Sequence, residues 1–379
     1  MLHPTLNCEA PLRDRVVMVH DYPPFNGGGL ALSVLDLAHL LDQIYDVSII
    51  SSRAVDHYAD DRLPPANPPP SDVSVRSALS ALLKTRRADI VISHWTFSFR
   101  TLSTWALIFN RTASITVCVI HTAPDHLLHN RLRCFPKLVK RAFIQTFNNY
   151  ALGSCKAVIA LSPSHAAALI AAGIRVTDIL PVPVRIGCPT TNPVQPRQPR
   201  GTMTIGIAGE LSTLKGSTII PSLLWRLLPR FRLDIVGDGP LRRWVAAHVA
   251  LLDQERRRLV NLRGHVGTEV MAEFYEGIDF LLILSPGESQ CRVALEAMLC
   301  GVLVVGRPAV GIVDLVTDGL TGFVVEGSDV DSLVDQIEEI SSHDQLIFEQ
   351  IRDRARRFAE AQAAQNSDGW LAFGRTLRE

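Results

Sequence analysis

The sequence predicts an α/β protein of two Rossmann-like, doubly wound domains that face each other across a cleft. A chain of 379 residues is too long for one ordinary core and suits two domains of about 150–200 residues each. Short apolar runs alternate with helix-length amphipathic segments, which is the pattern of parallel sheets built from strand–helix–strand units. The proline-rich stretch 187–201 separates two such halves. Because proline continues neither a helix nor a central strand, this stretch is predicted to be the linker and hinge.

The elements are predicted in regular order along the chain. The first half is predicted to hold a helix at residues 30–41 and strands at 16–19, 47–50, 90–93, 116–120 and 158–161. The second half is predicted to hold strands at 204–207, 232–236, 280–284, 302–305 and 322–325, and helices at 216–228, 241–252, 292–299 and 329–340. The predicted units are domains 1–190 and 191–360, and a C-terminal helix at 361–379 that could return to the first domain. Ligands of doubly wound domains bind beyond the carboxyl ends of the strands, so the site is expected in the cleft.

Composition and charge narrow the classes of partner and compartment. The 38 basic residues balance the 38 acidic ones, so no global charge favours nucleic acid as a partner. The 7 cysteines are scattered without a C-x-x-C pair, which is typical of reduced thiols rather than of a disulfide framework or a zinc site. The first residues lack a signal-peptide pattern, and no stretch offers about 20 uninterrupted apolar residues. We therefore expect a cytoplasmic protein with no metal site and no membrane span.

The most informative stretch, residues 285–301, joins two carboxylates to the start of a helix. A strand ends at a Pro-Gly turn, Glu288 follows it, and Glu296 lies about two turns along the next helix. The backbone N–H groups at a helix start suit an anion such as a phosphate. Carboxylates beside such a site suit a hydroxyl-rich ligand, because one carboxylate can accept hydrogen bonds from two sugar hydroxyls.

This stretch resembles the E-x7-E signature of the family 4 (group 1) glycosyltransferases, with Glu288 and Glu296 at the two acidic positions. The likeness continues through 296–305 and 311–325; it covers residues 203 to about 340, and the N-terminal half more thinly. The resemblance implies the GT-B fold, a nucleotide-diphosphate sugar donor held by the second domain, and a hydroxyl acceptor held by the first. It also implies transfer with retention at the anomeric carbon, no required metal and no cofactor.

The resemblance assigns roles in the donor site. Glu296 would hold the ribose hydroxyls and Glu288 the hydroxyls of the donor sugar, with Ser289 beside them. Lys215 matches the lysine of the family's glycine-rich loop, and a lysine next to a helix start suits a diphosphate. His265 is similar in position to the loop that contacts the nucleotide base.

One position of the donor site departs from the family pattern. Glu210 stands where the family commonly has arginine, and a carboxylate near a diphosphate is unfavourable. We expect either that Glu210 turns away or that another cation compensates. Arg292, at the start of the helix that carries Glu296, is the candidate, because its fork could bind the phosphates or neutralise Glu210.

The first half contributes a glycine-rich loop and a histidine. Gly28 and Gly29 follow the first strand and would let the backbone approach the donor phosphates, as in a similar loop of the family. His121 follows the strand 116–120 and resembles the family's histidine near the reacting sugar. The predicted catalytic residues are therefore His121, Glu288 and Lys215. Three further residues at strand ends are candidates to line the acceptor pocket: His20, Asp21 and His94.

A basic amphipathic segment at 131–147 leaves two interpretations open. No Asp or Glu occurs between His126 and Thr177, and the basic residues of the segment alternate with leucines and phenylalanines. Such a segment could lie on an anionic membrane surface. The protein would then be peripheral on the inner face of the membrane, and its acceptor could be lipid-linked. It could equally be a helix docked on the first domain with a solvated basic face.

The function implied by the resemblance is sugar transfer in the synthesis of a glycan, a glycolipid or a glycosylated metabolite. Two alternatives stay open on the sequence. A nucleotide-sugar epimerase uses the same architecture and the same donor but needs no acceptor. A degenerate sugar-nucleotide binder is favoured by Glu210 and by Gln290-Cys291, where the family usually has an aromatic residue and a glycine.

Overall fold

The computed structural model describes residues 14–20, 29–51, 55–57, 88–95, 115–121, 146, 148–184, 201–327 and 329–377. These residues form two domains, each built on one twisted sheet with helices packed against it. The GT-B architecture of two Rossmann-like domains is thereby confirmed.

The first sheet has seven strands in the order β3-β2-β1-β4-β5-β6-β7. Its strands are Arg15–His20 (β1), Asp46–Ser51 (β2), Val55–His57 (β3), Ile90–Trp95 (β4), Ile115–Ile120 (β5), Ala157–Ala160 (β6) and Asp178–Ile179 (β7). All neighbours pair in parallel except β2 and β3, which are antiparallel at the sheet edge. The central strands are buried along nearly their whole length, because helices cover a parallel sheet on both faces. Two described α-helices belong to this domain, Gly29–Leu41 (α1) and Pro163–Ala171 (α2), together with a short π-helix at Asn148–Leu152.

The second sheet has six strands, all paired in parallel, in the order β10-β9-β8-β11-β12-β13. They are Thr204–Ala208 (β8), Arg232–Val236 (β9), Val260–Gly264 (β10), Phe280–Ile283 (β11), Leu303–Gly306 (β12) and Phe323–Val324 (β13). The helices are Ile220–Leu227 (α3), Arg242–Ala250 (α4), Gln254–Arg257 (α5), Thr268–Gly277 (α6), Arg292–Leu299 (α7), Val330–Ser341 (α8) and Gln345–Thr376 (α9). The chain order reverses between β8 and β11, so the loops after these strands diverge and leave a crevice at their carboxyl ends.

All ten predicted strands are confirmed to within two residues at each end. The prediction missed β3, β7 and β10. The sequence of β10, VNLRG, has a polar or small residue at three of five positions, as an edge strand tolerates. The prediction also missed α2, α5 and α6, and it merged a short 3-10 turn at Ser217–Ile219 with α3. The turn is separate from α3 because Pro221, in the first turn of α3, supplies no N–H to a continuous helix.

The C-terminal helix α9 contributes to the cores of both domains. It spans 32 residues. Phe348, near its start, is buried in the core of the second domain, whereas Trp370, near its end, is buried in the core of the first. The indole Nε1 of Trp370 donates a hydrogen bond to the carbonyl of Pro181 at 3.0 Å. Tyr45, which follows α1, donates its hydroxyl to the carbonyl of Gly374.

One expectation about cysteines is wrong. Cys300, directly after α7, is disulfide-bonded, and its partner lies outside the described residues. Cys118, Cys155 and Cys291 are free and buried. Sequence spacing could not show the pairing, because a disulfide depends on the separation of two Cβ atoms in space. None of the helices in the described ranges is long and apolar enough to cross a bilayer.

Candidate active site

The two domains meet where the loop after β11 contacts the carboxyl edge of the first sheet. Ser289 Oγ donates a hydrogen bond to the carbonyl of His121 at 2.8 Å. The side-chain amide of Gln290 makes a double bridge to the backbone of Val182: the N–H of Val182 donates to Oε1 at 2.8 Å, and Nε2 donates to the Val182 carbonyl at 2.9 Å. Gln290, a departure from the family pattern, therefore joins the two domains, because its side-chain amide binds both the N–H and the carbonyl of Val182.

Lys215 and Glu288 form the charged centre of the second domain's edge. The glycine after Lys215 has φ +72°, and a Cβ there would lie 2.1 Å from the carbonyl oxygen of Leu284, at the end of β11. Only glycine allows this approach of the two loops, and the approach places Lys215 Nζ 2.7 and 2.6 Å from the two carboxylate oxygens of Glu288. Ser285 Oγ donates a further hydrogen bond to Glu288 Oε1 at 2.6 Å.

The protonated form of Lys215 is stabilised mainly by Glu288. Burial alone would lower the pKa of Lys215, but the charge and hydrogen bonds of Glu288 outweigh it and raise the pKa above the ordinary lysine value. The ammonium is thus fully protonated at neutral pH. Its side chain is still 38% exposed, so an anionic ligand can reach it. The pair provides a cation for a diphosphate next to a carboxylate for hydroxyl groups.

Glu296 is held from both sides by neighbouring groups. Tyr275, on α6, donates its hydroxyl to Glu296 Oε2 at 2.8 Å, and Arg292 Nε donates to Oε1 at 2.6 Å. Burial, followed by the nearby Glu296 carboxylate, raises the pKa of Tyr275 well above its ordinary value, so the phenol remains a donor. Each carboxylate oxygen of Glu296 retains a lone pair for a further donor, which two adjacent ribose hydroxyls could supply.

Of the two roles expected for Arg292, the pairing with Glu210 is not formed, and contact with the donor phosphates stays a prediction. The guanidinium of Arg292 pairs with Glu296 and, through Nη1, with Asp36 of α1 at 2.7 Å. Glu210 instead is exposed and accepts a hydrogen bond from Ser212 Oγ at 3.2 Å. Its charge contributes to raising the pKa of Lys215. Arg292 is instead paired with the i,i+4 carboxylate of its own helix and with a carboxylate from the other domain.

Three histidines gather at the carboxyl edge of the first sheet. His20 ends β1, His94 lies in β4 and His121 follows β5. His94 Nδ1 and His121 Nε2 are 2.8 Å apart, so one hydrogen lies between them. Burial lowers the pKa of His20 to about 4 and the pKa values of His94 and His121 well below 6.5, with the neighbouring histidines adding to the last two shifts. The three rings are therefore neutral at pH 7.

The remaining predicted residues lie at the margins of this region or outside the described ranges. His265 is exposed in the loop after β10, the edge strand of the second sheet. Gly29 is the first residue of α1, and Gly28 falls outside the described residues, as do Asp21 and residues 131–145 and 147. Within the described ranges, no group of three or more His, Cys, Asp or Glu side chains is placed to hold a metal ion.

Family models match both domains. The model described as Glycosyltransferase Family 4 matches residues 27–184, and the model described as Glycosyl transferases group 1 matches residues 203–343. The matches follow one another along the chain and cover six of the seven strands of the first sheet, all but β1, and all six strands of the second. The chain belongs to the family 4 glycosyltransferases.

Individual relatives of this family member are distant. A D-inositol 3-phosphate glycosyltransferase from Xylanimonas cellulosilytica is 28% identical over 188 residues, which are 49% of this chain and 41% of that protein. A GDP-mannose-dependent alpha-mannosyltransferase from Corynebacterium glutamicum is 31% identical over 124 residues, which are 32% of this chain and 27% of that protein. The chain thus matches less than half the length of these relatives.

Solved structures extend the likeness to the whole fold. HepE from Anabaena in complex with UDP-glucose has a TM-score of 0.67 at 20% identity, over 96% of this chain and 99% of that one. The sucrose-phosphate synthase of Thermosynechococcus elongatus has a TM-score of 0.72 at 17% identity, over 97% and 98% of the two chains. At these identities the likeness shows the GT-B fold of this family member.

Sequence reasoning missed Asp36, Tyr275 and Ser285, each of which touches a predicted site residue. Asp36 did carry a signal, because it is the only acidic residue of the apolar helix α1 and is buried. A carboxylate on a buried helix face requires a partner, and here the partner is Arg292. Tyr275 and Ser285 carried no comparable signal, since a buried tyrosine and a serine at a strand end are ordinary.

Proposed function

We propose that the protein transfers a hexosyl group from a nucleotide-diphosphate sugar to a hydroxyl acceptor, with retention at the anomeric carbon and without a metal ion. The observation that carries the proposal is the Lys215–Glu288 pair beside Glu296, at the cleft edge of the second domain. The arrangement supplies a cation and two carboxylates within one crevice. A nucleotide-diphosphate sugar needs such a set, because it has one anionic part between two hydroxyl-bearing rings.

In this proposal the second domain binds the donor. Glu296 accepts hydrogen bonds from the ribose hydroxyls, and Glu288 accepts them from the sugar. The diphosphate competes with Glu288 for Lys215, so donor binding divides the pair: Lys215 turns to the phosphate, and the carboxylate of Glu288 becomes free to accept sugar hydroxyls. No side chain caps the start of α7, which leaves its positive end to interact with the diphosphate.

The reaction then needs only fixed charges. The bond between the anomeric carbon and the diphosphate oxygen breaks, and a bond from the acceptor oxygen forms on the same face. The departing diphosphate oxygen takes the acceptor proton, so no protein base is required. Lys215 stabilises the charge that develops on that oxygen, and this type of electrostatic stabilisation is commonly worth a factor of about 100–1,000 in rate. His121, neutral and hydrogen-bonded to His94, is suited to position a hydroxyl rather than to remove a proton.

The test is incubation with UDP- and GDP-sugars, with and without a panel of hydroxyl acceptors. Nucleoside diphosphate release that depends on the acceptor supports transfer, and NMR of the product gives the anomeric configuration. Activity retained after treatment with a chelator supports the metal-free proposal. Interconversion of donors without an acceptor would instead identify an epimerase, and donor binding without turnover a degenerate binder.

The degenerate-binder alternative has one residue in its favour, Glu210, because it places a negative charge near Lys215 at a position where the family commonly has arginine. The second residue that suggested it, Gln290, weighs against it, since its amide joins the two domains through a complete backbone pairing. A protein that had lost the need for a closed cleft would have no use for that bridge. Transfer is therefore the better supported proposal.

We also propose peripheral contact with an anionic membrane through residues 131–147, which suits a lipid-linked acceptor. The support is the sequence alone: arginines and lysines interleaved with leucines and phenylalanines, and no acidic residue. The acceptor would then be presented to the first domain from the bilayer surface.

A further inference from the structure

A chain of buried charges joins the first domain to the donor site. Asp36 of α1 and Arg292 of α7 are each 8% exposed. Asp36 Oδ2 lies 2.7 Å from Arg292 Nη1, and Arg292 Nε lies 2.6 Å from Glu296 Oε1. The order of groups is therefore carboxylate, guanidinium, carboxylate and, through the hydrogen bond to Glu296 Oε2, the phenol of Tyr275.

The division of Arg292 between two carboxylates is the informative detail. A guanidinium and a carboxylate prefer to pair through two parallel N–H···O bonds, which occupy both carboxylate oxygens on one side. Arg292 donates to Glu296 only from Nε, and its Nη1 is held by Asp36. Without Asp36, Nη1 would lose this carboxylate, and the guanidinium could turn so that it pairs with both carboxylate oxygens of Glu296.

We infer that Asp36 is a positioning residue of the donor site: by holding Arg292, it keeps the Glu296 carboxylate open to the ribose hydroxyls. A residue of the first domain thereby affects how tightly the second domain binds the nucleotide. Asp36 itself does not contact the nucleotide and acts through Arg292 and Glu296. The inference rests on the proposed function, in which Glu296 binds the ribose. It adds a residue of the other domain to that site and a chemical consequence that can be measured.

The experiment compares nucleoside diphosphates with their 2′,3′-dideoxy analogues by calorimetry, using UDP and GDP with the full chain. The dissociation constant of the dideoxy analogue divided by that of the parent nucleotide measures how strongly the ribose hydroxyls are held. This quotient is called the ribose ratio, or the ratio, below. We expect the ratio for the wild-type protein to be about tenfold or more, since hydrogen bonds to a charged group are worth about 1.4 kcal/mol or more. Asp36→Asn should reduce this ratio to below about threefold. Asp36→Glu, which keeps the charge, should retain most of it.

A double variant keeps the test decisive if Asp36→Asn does not fold, since removal of one carboxylate from a buried ion pair can destabilise the domain. Asp36→Asn/Arg292→Met replaces the ion pair by neutral groups and removes the competitor for Glu296. We expect it to fold and to recover the wild-type ratio. A ratio that stays low in the double variant would contradict competition by Arg292.

Two controls separate this inference from the proposed function. Ser164→Ala removes a different contact between the domains, because Ser164 Oγ binds both the carboxylate of Asp314 and the N–H of Gly311, and it should leave the ratio unchanged. Glu296→Gln should bring the ratio close to one. If Glu296→Gln does so while Asp36→Asn leaves the ratio at its wild-type value, the role of Asp36 is refuted and the role of Glu296 in the donor site stands. If Glu296→Gln leaves the ratio at its wild-type value, the ribose role of Glu296 fails, and the inference fails with it.

Discussion

Lys215 Nζ lies 2.6 Å from Glu288 Oε2, so the cation expected at the diphosphate is neutralised by the carboxylate expected at the sugar. The two side chains come from loops after β8 and β11, whose strands are neighbours in the sheet. In the proposed function, the diphosphate of the donor competes with Glu288 for Lys215. Before the donor binds, the ion pair keeps both charged side chains at the edge of the cleft.

This relationship predicts that Glu288→Ala and Glu296→Ala fail in different ways. Glu288→Ala should lower kcat on the order of 100-fold with a smaller change in KM for the donor, because the sugar ring is the part that distorts in the transition state. Glu296→Ala should mainly raise KM, since ribose contacts change little along the reaction. Steady-state kinetics, with the donor that the incubation with UDP- and GDP-sugars selects, provide the measurement. Wild-type kinetics in either variant would remove that residue from the site.

Arg292 and Glu210 are predicted to differ sharply when each is replaced by alanine. Arg292→Ala leaves Asp36 and Glu296 close together without their shared cation, which should lower the free energy of unfolding by about 3–5 kcal/mol and lower donor turnover at least tenfold. Glu210→Ala removes an exposed carboxylate and should change stability by less than about 0.5 kcal/mol. Its donor affinity should rise, because one negative charge near Lys215 is lost.

Urea unfolding and donor titration of the two variants give both quantities. An Arg292→Ala protein of wild-type stability would contradict the buried ion-pair network. A Glu210→Ala protein with weaker donor binding would show that Glu210 contacts the donor directly.

The buried histidines predict that stability falls in mild acid. His20 has a folded-state pKa of about 4, below its ordinary 6.5, so the unfolded chain binds a proton more readily. The contribution of this residue is fully present above about pH 6.5 and is lost as the pH falls from 6.5 towards 4, at about 1.4 kcal/mol per pH unit for one proton. The lowered pKa values of His94 and His121 act in the same direction.

The measurement is the free energy of unfolding of the wild-type protein and His20→Gln between pH 5 and pH 7.5. As the pH falls, the free energy of unfolding of the variant should decrease less steeply than that of the wild-type protein, by about 1.4 kcal/mol per pH unit, which corresponds to one proton. His265→Gln, which removes an exposed histidine, is the matched control. Parallel slopes for the wild-type protein and His20→Gln would place the acid sensitivity elsewhere.

Membrane contact through residues 131–147 predicts a strong dependence on salt. Vesicles that contain anionic lipid should bind the protein at low ionic strength and release it as the salt concentration rises, because exposed charges are screened beyond about 10 Å at 0.1 M salt. Flotation with anionic and neutral vesicles tests this. Arg131→Glu/Arg133→Glu should weaken binding, and equal recovery with both lipids would leave the docked-helix interpretation.

The sequence predicted the fold well because its strands are apolar runs with clear ends, and such runs depend on local composition. It also singled out Glu288, Glu296 and Lys215, which lie next to strand ends and helix starts, and their roles in the donor site stay predictions. Their pairings depended on distances between segments far apart in the chain. Asp36 and Arg292 are separated by most of the protein, and nothing in either local pattern reveals that they meet. For that reason the sequence offered Glu210 as a partner for Arg292 and did not offer Asp36.

The shared helix α9 limits how this protein can be recombined with other family members. Under the proposed function, donor and acceptor bind to different domains, and the predicted linker at 187–201, which lies almost wholly outside the described residues, would be the obvious place to join two parents. A junction there alone would combine the first domain of one parent with the end of α9, including Trp370, of the other. A working chimera needs a second junction inside α9, after Ala359 and before Trp370. The part of α9 that packs in each domain's core then comes from the same parent as that domain.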